Sequence, residues 1–214
     1  MKKILITGFD PFDKEKINPA YEAVKYIPDE ILGNKIIKLE IPTVSYKGIK
    51  KTIQAIEEYQ PDIVINVGQA GGRFSVTPER VAINLNDFRI KDNEGNQPLD
   101  SKISESGENA YFSTIPIKAI VKDLKKENIP STVSYSAGTF VCNQVMYGVL
   151  EYISKNKLNI KAGFVHIPFM TEQIIDKVNA PSLSLDQLIK ALEVIIKSCI
   201  ENNEDIGGVS GEIS

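Results

Sequence analysis

The chain has 214 residues, 42% hydrophobic and 25% charged, with a net charge of −3. That is the profile of an ordinary water-soluble globular protein, long enough to bury a sizeable core. The weak negative charge gives no electrostatic ground for nucleic acid or an anionic membrane as partner, and no segment approaches the roughly 18 to 20 apolar residues that span a bilayer.

Short apolar runs alternate with amphipathic segments along the chain. Lys3 to Thr7 reads as a buried first strand stopped by Gly8, its apolar run Ile4-Leu-Ile6 too short for the hydrophobic region of a signal peptide. Asn18-Pro19 supplies an N-cap residue and a proline at the first helical position, which starts a helix reaching Tyr26. Lys35 to Ile41 is a second strand, Tyr46 to Tyr59 a helix, and Asp62 to Val67 a third strand. From Gly68 to Tyr111 the pattern breaks into glycine-rich turns, an alternating run from Val81 to Leu85 and an Asp92-Asn-Glu-Gly95 turn. This predicts a long excursion with a small hairpin, a kind of segment that usually serves function.

Alternation returns with a helix over Pro116–Asn128, a strand over Thr132–Tyr135, a helix over Asn143–Lys155 and a strand over Ala162–Ile167. Ser184 and Gln187 resemble a capping box for a last helix ending at Ile200. Strands separated by helices predict an α/β fold, a single-domain open twisted and mostly parallel sheet with helices on both faces. One domain over 1–206 with a flexible tail at 207–214 is expected. Ligands of such sheets bind at the carboxyl ends of the strands. Phe9, Phe12, Gln69, Cys142 and His166 all fall at that edge.

His166 is the only histidine; alone in an apolar strand it reads as a core residue, and its position at the strand's end just before Pro168 brings the functional reading level with that one. Cys142 stands where a polar, glycine-containing loop turns into a helix, a place where backbone dipoles favour thiolate over thiol. If the imidazole lies within reach, the two can run nucleophilic catalysis. Cys199 is in phase with Leu188, Leu192 and Ile195 on the last helix and reads as packing. Two distant cysteines make no disulfide framework, so a reduced, cytoplasmic protein is expected. A third group that orients the imidazole is Glu79, although spacing alone favours a surface ion pair with its neighbour Arg80. Gly68, Gly71 and Gly72 match neither Gly-x-Gly-x-x-Gly nor Gly-x-x-x-x-Gly-Lys-[Ser/Thr], so a phosphate cradle is weakly supported. One histidine and two distant cysteines do not make a transition-metal site, and neither metal nor cofactor is expected.

Four segments together resemble the pyroglutamyl peptidase I family of cysteine peptidases. They are Gly8-Phe-Asp-Pro-Phe12 with Asn18-Pro19, Gly68-Gln-Ala-Gly-Gly-Arg73 running on to Val76-Thr-Pro-Glu-Arg-Val-Ala-Ile-Asn84, Val133 to Asn143, and Gly163-Phe-Val-His-Ile-Pro168. The resemblance implies an α/β/α fold, removal of N-terminal pyroglutamyl residues from peptides, a cytoplasmic location and a homotetramer. Carried over by position, Cys142 is the nucleophile, His166 the general base and acid, and Glu79 the orienting carboxylate. Phe9 and Phe12 hold the lactam ring with Gln69 and Thr43 nearby, and Arg89 lies near the cysteine. The chain departs from the family pattern at Asp13-Lys14, which replaces a glycine pair, and at Phe88 and Lys91. Two other classes compete with this reading: a nucleoside phosphorylase on a similar sheet, and a binding module without turnover.

Overall fold

The computed structural model describes residues 1–207. Apart from Gly207, the expected tail lies outside the described residues. In chain order the elements are β1 (Lys3–Phe9), α1 (Pro19–Tyr26), β2 (Glu30–Ile31), β3 (Asn34–Ile41), α2 (Lys47–Tyr59) and β4 (Ile63–Gln69). β5 (Thr77–Pro78), β6 (Val81–Ile83) and β7 (Ala110–Phe112) belong to the excursion. α3 (Ile117–Lys126), α4 (Val141–Lys155), β8 (Lys161–Ile167), β9 (Phe169–Met170), β10 (Ser182–Leu183) and α5 (Leu185–Glu201) follow, with a single 3-10 turn at Thr171–Gln173.

The main sheet has the order β2-β3-β1-β4-β8-β5. β3, β1, β4 and β8 run parallel, while β2 and β5 are antiparallel at the two edges. Alternation along each strand divides the core in two. Ile4, Ile6, Ile65 and Ile167 enter the layer shared with α1, α3 and α5. Leu5, Phe9, Val64 and Phe164 enter the layer shared with α2 and α4. The expected doubly wound α/β architecture is therefore present.

Local chemistry explains the helix starts. Asn18 Oδ1 accepts from Ala20 N–H at 3.0 Å ahead of Pro19, and Ser184 with Gln187 forms the expected capping box. Gly8 does not stop β1. It stays within the strand because α1 crosses directly above it: a Cβ there would lie 2.6 Å from the Tyr21 Cα and N. Those are backbone atoms and cannot step aside as a side chain would. Gly8→Ala is expected to lower stability by roughly 1–3 kcal/mol, read as a fall in urea midpoint at unchanged slope. An unchanged midpoint would mean that α1 slides freely over the strand.

The strand expected at Thr132–Tyr135 is displaced. β8 is met by β5, with Thr77 opposite His166 and Pro78 opposite Val165. The expected strand lies one place farther out and touches the 76–80 segment only through isolated bridges, Val76 with Ser131 and Glu79 with Ser134. Pro78 and Pro130 offer no N–H, so no continuous ladder forms there. The excursion thus wedges its own backbone against β8, and that wedge carries Glu79 to the sheet edge. The expected hairpin is present as β6 paired with β7.

Candidate active site

α4 begins at Val141, two residues before the expected start, with Phe140 as an extended N-cap that gives no side-chain cap. Cys142 thus lies inside the first turn, where backbone N–H groups have no intrahelical acceptor. Asn143 hooks the hairpin onto this turn: its Oδ1 accepts from Ile83 N–H at 3.0 Å and its Nδ2 donates to Ile83 O at 2.9 Å.

The thiol and the imidazole share one face of the sheet. Cys142 Sγ lies 3.0 Å from where a Gly68 Cβ would stand. Gly68 is the register partner of His166 across β4 and β8, so their side-chain directions agree at a strand spacing of about 4.8 Å. Phe164, two residues back on β8, flanks both: its ring centroid is 4.8 Å from that of His166. Gly68 is the position that leaves room for the sulfur.

Behind the ring, His166 Nδ1 and Glu79 Oε1 are 2.7 Å apart. Glu79 is fully buried and anchored by its own N–H on Phe164 O at 2.9 Å. Its ionic partner is Arg73, whose Nη1 donates to the same Oε1 at 2.6 Å, and not the adjacent Arg80. Burial by itself would raise the Glu79 carboxyl, but His166, Arg73 and the neighbouring Ser134 together hold it below its ordinary value. Burial pushes the His166 pKa down against the pull of Glu79, with Arg73 adding to the downward push.

The expected thiolate is not the resting state. The residue is half-buried, with its sulfur turned inward over Gly68, and burial together with Glu79 pushes the thiol up to about 12. Arg73 and the thiol's own backbone N–H oppose the rise without cancelling it. Desolvation thus outweighs the helix start, and the neutral thiol faces a neutral imidazole.

Of the residues expected around a ligand, Phe9 is 2% exposed and packs on Phe164, so it backs the site and offers almost no surface. The accessible aromatic is Phe12, half-buried, 6.2 Å from the ring of Phe140. Phe140 in turn meets Phe88 edge-on at 4.6 Å. Thr43 is buried and tied to Asp10, its N–H on Asp10 Oδ1 at 2.6 Å and its hydroxyl on Asp10 O at 3.2 Å. Arg89 is exposed, on a strip held to the loop before α4 by Asp87 N–H on Thr139 O at 3.2 Å and Thr139 Oγ1 on Asp87 O at 2.8 Å. Asp13 and Lys14 keep positive φ, 51° and 65°, the backbone that a glycine pair adopts without strain.

Gln69 is half-buried at the end of β4. Its orientation follows from a chain of donors. Met170 N–H donates to Gln173 Oε1 at 2.9 Å, so Gln173 Nε2 is the end that donates to Gln69 Oε1 at 3.0 Å. With Oε1 engaged as acceptor, Gln69 has its Nε2 donors left over, a group that can meet a carbonyl. Sequence reasoning missed Gln173, Phe140 and Arg73. Phe140 and Arg73 lie inside the quoted motifs, but only contacts across the fold reveal what they do.

A thiol in the first turn of a helix, over the carboxyl edge of a parallel sheet and beside a carboxylate-held imidazole, is the equipment of a cysteine-type hydrolase. Comparison with known proteins narrows the class. The family model described as Pyroglutamyl peptidase matches residues 2–202. A pyrrolidone-carboxylate peptidase of Clostridium botulinum is 58% identical over 211 residues, covering 99% of each chain. One of Clostridium perfringens is 57% identical over the same length. The crystal structure of pyroglutamyl peptidase I from Bacillus amyloliquefaciens superposes with a TM-score of 0.94 at 50% identity, covering 97% of this chain and 99% of that one. The pyrrolidone carboxyl peptidase of Thermococcus litoralis gives 0.93 at 37% identity, covering 98% and 100%. The chain belongs to the pyroglutamyl peptidase family.

Proposed function

We propose that the chain is a cysteine exopeptidase that removes N-terminal pyroglutamyl residues from peptides through a thioester acyl-enzyme. Cys142 serves as nucleophile, His166 as general base and acid, and Glu79 as orienting carboxylate. The observation that carries the reading is the shared face: Sγ stands over Gly68, the register partner of a histidine whose Nδ1 is held by Glu79.

The chemistry follows from the charge states. With Nδ1–H held by Glu79, Nε2 carries the lone pair. As Sγ bonds to the pyroglutamyl carbonyl carbon, the thiol proton passes to Nε2 and the carbonyl electrons move onto oxygen. The Cys142 N–H in the first turn of α4 is the oxyanion donor, and Arg89 approaches from its strip. The imidazolium gives its proton to the departing amine as the C–N bond breaks. Water, deprotonated by the same nitrogen, then splits the thioester and restores the thiol. A flat, uncharged lactam suits a wall built on Phe12 with Phe9 behind it, and Gln69 supplies a polar partner, whereas the donors of Thr43 are spent on Asp10. No acidic side chain is needed to hold an α-ammonium group, because the pyroglutamyl nitrogen is a neutral lactam N–H.

The test is amine release from a pyroglutamyl amide, beside prolyl and glutamyl amides, with and without iodoacetamide. Release confined to the pyroglutamyl compound and abolished by alkylation is the expected result. A folded protein that releases no amine, or one that is indifferent to alkylation, overturns the reading. The same reading carries the cytoplasmic location, in keeping with two unpaired thiols, and the homotetramer implied by the family resemblance. Among the described residues no helix is long and apolar enough to cross a membrane.

A further inference from the structure

Arg73 exchanges no proton or bond in the proposed reaction, yet it touches the one carboxylate oxygen on which that reaction turns. Its Nη1 donates to Glu79 Oε1 at 2.6 Å, and the same oxygen holds His166 Nδ1 at 2.7 Å. Nη1 also donates to Thr77 Oγ1 at 2.6 Å, and Nη2 to Ser136 O at 3.1 Å. Thr77 is the residue paired with His166 across β5 and β8, and Ser136 lies in the loop leading to α4. One guanidinium therefore ties the wedge that carries the carboxylate to the approach to the helix that carries the thiol, and Thr77 Oγ1 in turn donates to His166 O at 3.4 Å.

We propose that Arg73 is a positioning residue for this reaction: by sharing Glu79 Oε1 with His166 Nδ1, it fixes where the carboxylate aims and adds to the burial that leaves the resting imidazole uncharged. The proposal rests on the assignment of Cys142, His166 and Glu79 given above.

A fully buried carboxylate beside an imidazole, with no third charge, is best balanced by an imidazolium, which cannot accept the thiol proton. A guanidinium on the same oxygen supplies the balancing charge, so the ring stays neutral and able to act as base. The groups facing the ring are Glu79 and Arg73 from the wedge and the Cys142 thiol from α4; Phe164, on β8 itself, is uncharged. Arg73 pushes the pKa values of both the ring and the thiol downward. Removing it therefore moves both upward. Lysine brings the charge but cannot reach Glu79, Thr77 and Ser136 from two separate nitrogens.

His166 is the only histidine in the chain, so its ring titration can be followed by NMR without ambiguity. Arg73→Gln is expected to raise the His166 midpoint. It should also move the acid limb of kcat/KM for a pyroglutamyl amide to higher pH, and lower kcat roughly 10- to 100-fold at little change in KM. Arg73→Lys should hold the midpoint near that of the parent while recovering only part of kcat. A folded Arg73→Gln protein with an unmoved midpoint, or one whose loss is in KM alone, overturns the proposal. If the parent protein itself releases no amine, the assignment of the three residues fails. The NMR midpoint still decides whether Arg73 governs the ring, so the two failures can be told apart.

Discussion

Cys142→Ser releases no measurable amine from a pyroglutamyl amide, while Cys199→Ser keeps the parent rate at 25 °C: this is the expected pair of results. The size of the first effect follows from what is removed. Serine in place of the thiol is a far weaker acid and a poorer nucleophile toward the carbonyl, and its proton must pass to an imidazole that burial has already made a weaker base. The loss should be roughly 10⁴-fold or more in kcat, as for other nucleophiles that act as a unit with their base. Cys199 is equally informative because its thiol is also pushed up to about 12, by burial against the opposing pull of Lys161, yet it belongs to the opposite core layer, with α1, α3 and α5. A hydroxyl in that apolar layer costs stability, roughly 1–3 kcal/mol, and the cost appears in the thermal midpoint while turnover stays. Activity surviving in Cys142→Ser, or lost from a folded Cys199→Ser, would transfer the nucleophile's role elsewhere.

These two cysteines also show what could be read from the chain alone. Cys199 was legible because helical period is a local property, and Leu188, Leu192 and Ile195 do lie with it in the core. The sheet was legible for the same reason: buried parallel strands are short apolar runs, and β1, β3, β4 and β8 are such runs. Sheet order is not local. Nothing in Thr132 to Tyr135 says that a proline-broken wedge will stand between it and β8. Gly8 was misread because a glycine needed for the close approach of α1 looks the same as one that ends a strand.

The site divides in the same way. Cys142 and His166 stood out by rarity and by position at element ends. Glu79 was favoured by its place in the long excursion and by the family resemblance, against a spacing that pointed to Arg80, and its actual partner Arg73 is found only once the excursion folds back on itself. The thiolate expectation weighed a helix start against no opposing effect. Burial of Sγ over Gly68 and the anionic Glu79 supply the opposition, and both depend on the tertiary structure.

Glu79→Gln tests that electrostatic balance directly, and its signature should be opposite to that of Arg73→Gln. The substitution keeps the shape but removes the anion that holds Nδ1–H. The amide can turn its nitrogen toward the ring, in which case Nδ1 becomes the acceptor, Nε2 carries the hydrogen, and no lone pair faces the thiol. Either orientation leaves the imidazolium formed during attack without its buried counter-charge. A fall in kcat of roughly 10²- to 10⁴-fold is expected. Glu79 raises the His166 pKa, so its loss lowers the ring's NMR midpoint and shifts the acid limb of the residual activity to lower pH. It also raises the thiol, so alkylation of Cys142 by iodoacetamide should begin at lower pH in the variant than in the parent. A slower enzyme whose thiol alkylates more readily distinguishes loss of the orienting anion from a general loosening of the fold, which would slow turnover without moving either titration in these directions. If the ring midpoint rises, or the thiol becomes harder to alkylate, Glu79 does not act on this pair as a charge.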